Sequence, residues 1–148
     1  METRVYANKG WQHIGKVAEN GKLYAEGMWC FRTPQREDRT CDATGAVGSR
    51  TNYWPTPVDA DDGCPYKGAN AYVGQLVMRN GENGAAQGYS NIGFAVEAGM
   101  DLWMSINDDY FDNNEGHMDL RFVSSRDSQA SGERILSDAE KRRLGLIP

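Results

Sequence analysis

Apolar and polar residues alternate in short runs along much of this chain, the period of strands that bury one face. Residues 3–7 and 11–17 read as short strands around an Asn8-Lys9-Gly10 turn. Asn20-Gly21 is a hairpin-type turn signal, and a strand follows from about Lys22 to Arg32. The alternation resumes over 71–79, 91–97, 101–107 and 117–124. Between the first two of these lies Asn80-Gly81-Glu82-Asn83-Gly84, a run of turn residues. Leu102, Met104 and Ile106 alternate with Trp103 and Ser105; Met118, Leu120 and Phe122 alternate with Asp119 and Arg121. Roughly seven or eight strands at such spacings predict an all-β domain of sandwich type.

Two stretches break the pattern. Residues 33–69 hold Pro34, Pro55, Pro57 and Pro65 with little period-two signal. A connection that long inside a compact domain is usually functional or disordered. The tail is the other exception. Residues 125–136 are polar and read as a linker, and Ser137 to Gly145 read as a short C-terminal helix. Ser137 is its N-cap, Glu140 stands three residues on, and Gly145 is its stop. The expected organisation is therefore a β-sandwich over 1–124 and a linker with a short helix over 125–148. The tail either docks on the sandwich, joins a neighbouring domain or is loose.

At 148 residues the chain is long enough to bury a core. Its 16 basic and 21 acidic residues leave a net charge of -5, which argues against a nucleic-acid partner. Lys141-Arg142-Arg143 reads as a solvated helix face. No apolar run approaches the roughly 18 residues of a membrane-spanning helix, so no membrane insertion is expected. The first residues lack the apolar stretch of a signal peptide. The chain is accordingly expected to be cytoplasmic, to leave by a route without such a signal, or to be a piece of something longer. Cys41 and Cys64 bracket a polar segment that a disulfide would close in an oxidising compartment, while Cys30, in a strand-like run, reads as a buried thiol. No Cys-x-x-Cys pair supports zinc.

The chemistry is concentrated in one loop. Ile106 to His117 packs Asn107, Asp108, Asp109, Asp112, Asn113, Asn114 and Glu115 between two strand-like runs, with Gly116 near its end. Calcium takes six to eight oxygens from carboxylates, amides and carbonyls in irregular geometry. Asp, Asn and Gly are also ordinary turn residues. The density of acids favours the metal, because four carboxylates in a small space would repel one another until a cation entered. Asp59-Ala60-Asp61-Asp62-Gly63 lacks the spacing, downstream Glu and helices of an EF-hand and reads as a solvated turn. His117 reads as a rim residue rather than a ligand. Trp11, Trp29 and Trp103 read as core or sheet-face residues. No Gly-x-Ser-x-Gly or P-loop occurs, and a hydrolase built on the acidic loop ranks well behind a binding protein.

Two segments carry a family resemblance. Tyr72-Val73-Gly74-Gln75-Leu76-Val77-Met78-Arg79-Asn80-Gly81 is similar to the Gly-x-Leu-Val-Met-Lys-Ile-Gly strand of the LecA-like, calcium-dependent, galactose-binding bacterial lectins. Asn107-Asp108 followed by Asn113-Asn114-Glu115-Gly116 is similar to that family's Asn-Asp…Asn-Asn-x-Gly calcium loop. Gly10-Trp11 and Ala25 to Phe31 add weaker matches, and the similarity spans roughly residues 3–124.

The resemblance implies a small jelly-roll-like β-sandwich, galactose-binding-domain-like, with one Ca²⁺ at its edge that two adjacent sugar hydroxyls coordinate directly. On that reading Asp108, Asn113 and Asn114 supply side-chain oxygens to metal and sugar, Phe31 supplies a backbone carbonyl, and either Tyr110 or Phe111 supplies another. The family's His-Pro-x-Gln sugar contact has no counterpart here. In the longer loop that replaces it, Tyr53 or Trp54 either stacks on the sugar or, for Trp54, packs beneath the loop. The expected function is a non-enzymatic, calcium-dependent carbohydrate-binding domain, with galactose-like sugars first. The competing expectation is an interaction module whose calcium is purely structural, assembling as a homo-oligomer or fused to a larger protein.

Overall fold

The computed structural model describes residues 1–34, 39–46, 58, 63–67 and 70–126. Tyr53, Trp54, most of the Asp59–Gly63 turn and the expected C-terminal helix lie outside the described residues. Among the described residues there are ten strands: β1 Arg4–Tyr6, β2 Gln12–Lys16, β3 Gly21–Glu26, β4 Trp29–Cys30, β5 Thr40–Cys41, β6 Leu76–Asn80, β7 Gln87–Gly88, β8 Phe94–Val96, β9 Asp101–Ile106 and β10 Glu115–Ser124. They form two antiparallel sheets, one of β1, β3, β4, β5, β8 and β10 and one of β2, β9, β6 and β7. The chain is an all-β sandwich, as the alternation predicts. Among the described residues no helix is long and apolar enough to cross a membrane.

The alternating apolar residues face each other across the two sheets. Val5, Leu23, Phe94, Val96 and Met118 come from the first sheet, and Ile14, Leu76, Met78, Leu102, Met104 and Ile106 from the second. Fully burying a side chain of this kind contributes about 1.5–3 kcal/mol, so this shared core dominates the stability of the fold. Trp29 is buried with it, its indole N–H donating to the Gly74 carbonyl at 2.6 Å. Trp103, out of phase with its neighbours, lies in a row across the second sheet, opposite Arg79 of β6 and His13 of β2. The Arg79 guanidinium sits 4.1 Å from the Trp11 ring centroid and 5.9 Å from that of Trp103.

Four expectations are corrected. The run from Lys22 to Arg32 is two strands, interrupted at Gly27, whose φ of 123° few side-chain-bearing residues adopt. Both pair with β10 in a single register, Asp119 opposite Glu26 and Gly116 opposite Trp29. Asn20-Gly21 does not close a hairpin, because β2 and β3 belong to different sheets. Gly21 is instead required by close approach: a Cβ there would lie 2.3 Å from the Val123 carbonyl oxygen. The oxygen-rich loop is no hairpin either. It leads from β9 in one sheet to β10 in the other, at one end of the sandwich. The run at 71–79 becomes a strand only at Leu76, since the Gln75 amide first closes a turn onto the Tyr72 carbonyl.

Candidate metal centre

Residues 107–114 are held from both ends. Asn107 is fully buried and spends its whole side chain on protein. Its Oδ1 accepts from the Tyr66 amide at 2.8 Å, and its Nδ2 donates to the carbonyls of Tyr66 at 2.9 Å and Tyr72 at 3.1 Å. Its backbone amide donates to the Gln75 carbonyl, and its own carbonyl accepts from Gly74. Asn107 is therefore a clamp rather than a ligand. At the other end, the Asn114 amide closes a turn onto the Phe111 carbonyl, and the side-chain Nδ2 of Asn114 donates to the Ala7 carbonyl at 2.9 Å. The Asn113 carbonyl accepts from Thr33 at 2.7 Å, bringing the chain just beyond β4 against the loop. Phe111 packs inward against the core, and its ring lies 3.2 Å from where a Cβ on Gly10 would be. Tyr110 points outward and is 55% exposed.

These anchors leave a specific residue of unmet demand. Asp108 Oδ1 accepts from the Asp109 amide at 2.8 Å, but Oδ2 is buried and has no partner. Asn113 Oδ1 and Asn114 Oδ1 are likewise buried and unpartnered. A buried polar atom without a partner costs about 1–3 kcal/mol, more for a charged group. The described chain has five such side-chain atoms; the only oxygens among them belong to the three residues singled out as ligands. Carboxylate and amide oxygens are the donor types a hard cation takes, so the chemistry of these three residues fits one. Asp108 also carries an electrostatic signature: burial pushes its carboxyl up to about 6, against the opposing pull of the Asn114 side chain and the Asp109 amide.

The remaining expected ligands divide. Phe31 lies in the segment that Thr33 ties to the loop, and neither its carbonyl nor that of Tyr110 accepts a hydrogen bond among the described residues. The Phe111 carbonyl already takes the Asn114 amide, so Tyr110 has the freer oxygen of that pair.

The expectation of four mutually repelling carboxylates is corrected. Asp109, Asp112 and Glu115 are exposed, leaving Asp108 as the loop's only buried acid. Among the described residues no three or more His, Cys, Asp or Glu side chains gather where an ion could bind. The donor set is one carboxylate with amides and carbonyls. His117 points away from it, its Nε2 3.6 Å from Asp119 and its ring beside Tyr6. Nor does a disulfide close the long segment, since Cys30, Cys41 and Cys64 are all thiols.

Sequence reasoning missed the residues that position the loop, Ala7 and Thr33. They act through backbone atoms, which leave no side-chain signature. Comparison with protein families, with curated proteins and with solved structures finds no match for this chain.

Proposed function

We propose that the loop from Asp108 to Asn114 is a calcium site that presents open coordination positions to a carbohydrate, making the chain a calcium-dependent, lectin-like binding protein. The observation that carries the reading is the set of three buried, unpartnered oxygens, Asp108 Oδ2, Asn113 Oδ1 and Asn114 Oδ1. Asp108 supplies the charge and the two Asn amides supply neutral oxygens, a mixture suited to a hard divalent cation. The Phe31 and Tyr110 carbonyls are the further candidates for the shell.

When bound, calcium offers positions at which two adjacent sugar hydroxyls replace two waters without a change of ligand type. The chain's own contribution is orientation. Asn107 and Asn114 hold the two ends of the loop through four side-chain hydrogen bonds to backbone, so the oxygens are fixed before a ligand arrives. The exposed Tyr110 ring stands in the same loop, an apolar face against which a sugar ring can lie. A single monosaccharide held this way binds weakly, and useful affinity then comes from multivalency.

A second reading, that calcium only locks the loop, has its own support. Asn113 and Asn114 also tie the chain beyond β4 and the end of β1 to the loop, as a structural metal site would. Thermal unfolding of metal-free protein, with calcium and with calcium plus galactose, separates the two. A rise in midpoint with calcium and a further rise with sugar supports the lectin reading. A rise with calcium alone, followed by no binding to a panel of other neutral sugars, favours the structural one.

A further inference from the structure

A cavity of about 400 Å³ lies beside the second sheet, walled by Tyr66, Asn70, Tyr72, Gln75, Ser90 and Asn91. That volume falls within the usual span for small-molecule sites, about 300–1,000 Å³. Thr44, Gly88 and Tyr89 complete the lining. Among the described residues that line it none is charged, although charged residues make up 25% of the chain. The groups on offer are phenols, amides and hydroxyls around aromatic rings.

Part of this lining is spent on holding the wall. Gln75 Oε1 accepts from the Tyr72 amide at 3.1 Å, and its Nε2 donates to the Tyr89 carbonyl at 3.0 Å. The Tyr89 hydroxyl reaches across to accept from the Ala25 amide at 2.9 Å. Gly88 leaves room for the wall, because a Cβ there would lie 2.5 Å from Gln75 Nε2 and 2.8 Å from the Tyr66 ring. Asn107 fixes the backbones of Tyr66 and Tyr72 through the three bonds described above. By contrast, the side chains of Asn70, Tyr72, Ser90 and Asn91 make no hydrogen bond to another described residue. A rigid frame thus presents uncommitted amide and hydroxyl groups beside tyrosine rings.

The geometry points to a second, metal-independent site in this cavity, which takes a neutral saccharide unit. A phosphorylated or carboxylated ligand would find no cation among the described lining residues, and a purely apolar one would bury amides and hydroxyls without partners. A sugar offers both an apolar ring face and hydroxyls that donate and accept. This inference stands apart from the calcium loop, since none of the described lining residues is among the loop's candidate ligands.

The test is saturation-transfer NMR on the whole chain in EDTA, with galactose, glucose, mannose, lactose and cellobiose as probes. At least one probe is expected to bind. Ser90→Trp, which fills the cavity from an exposed position, and the milder Asn70→Ala are each expected to weaken that binding about tenfold, the scale of one lost polar contact. Asp108→Ala is expected to leave it unchanged. Absence of binding by all five probes in EDTA, or binding that survives both cavity variants, would overturn the inference. Sugar binding seen only with calcium, lost in Asp108→Ala and untouched by Ser90→Trp, would uphold the loop reading and overturn this one.

Discussion

Asn114 donates its side-chain N–H to the Ala7 carbonyl at 2.9 Å, and that one bond decides which way its amide faces. The nitrogen is committed to the end of β1, so Oδ1 is left buried without a partner. Asn114→Asp would put a second acceptor against the Ala7 carbonyl. In metal-free protein this is expected to cost about 1–3 kcal/mol, the penalty for an unsatisfied buried group. Added calcium should recover part of it. Urea unfolding with and without calcium measures both; equal destabilisation in the two conditions would remove Asn114 from the shell.

Asn107 makes a separate prediction, because its role is clamping and not coordination. Asn107→Asp keeps the size but loses the donors to the Tyr66 and Tyr72 carbonyls, leaving two buried acceptors and a buried charge. The expected loss is about 3 kcal/mol or more, with or without calcium. A variant of near wild-type stability by denaturant titration would contradict the clamp.

Much of the fold was legible in the sequence because period-two alternation reports burial directly. Leu102, Met104 and Ile106 on one strand and Met118 on another were readable as core, and they are. Pairing was not legible. Asn20-Gly21 looked like a hairpin turn, yet its flanking strands lie in different sheets, since local turn chemistry carries no information about which sheet receives the next strand. The short β5 and β7, two residues each, have no period to read. In the candidate site, the residue types singled out Asp108, Asn113 and Asn114, but they suggested four converging acids. Only Asp108 is buried, because side chains pointing away from the sandwich end up in water whatever their charge.

The raised Asp108 pKa gives a pH dependence. A carboxyl whose folded value, about 6, lies above its ordinary 3.8 holds its proton more tightly when folded. Metal-free protein should therefore lose stability as pH rises from about 4 to about 6, because the folded state binds more protons than the unfolded one across that window. Calcium needs the ionised form, so its stabilising effect should grow through the same window and level off above it. Melting temperatures of metal-free and calcium-loaded protein across pH 4–8 check this, and parallel curves would contradict it.

Cys41 is fully buried beside Gly74, where a Cβ would lie 2.5 Å from its Sγ, and burial raises its thiol pKa. It should resist iodoacetamide in the folded protein and react on unfolding. Intact mass should be the same before and after reduction. A Cys41–Cys64 disulfide found by peptide mapping would contradict the thiol assignment.

The central claim is that three oxygens of one loop hold a cation. Isothermal titration of metal-free protein with calcium chloride, run beside Asp108→Ala, tests it most directly. The expected result is one ion per chain for the wild-type protein, with binding abolished in the variant while its strand content is retained by circular dichroism. No heat of binding in the wild type, or equal binding in a folded Asp108→Ala, would contradict the assignment of the loop as a calcium site.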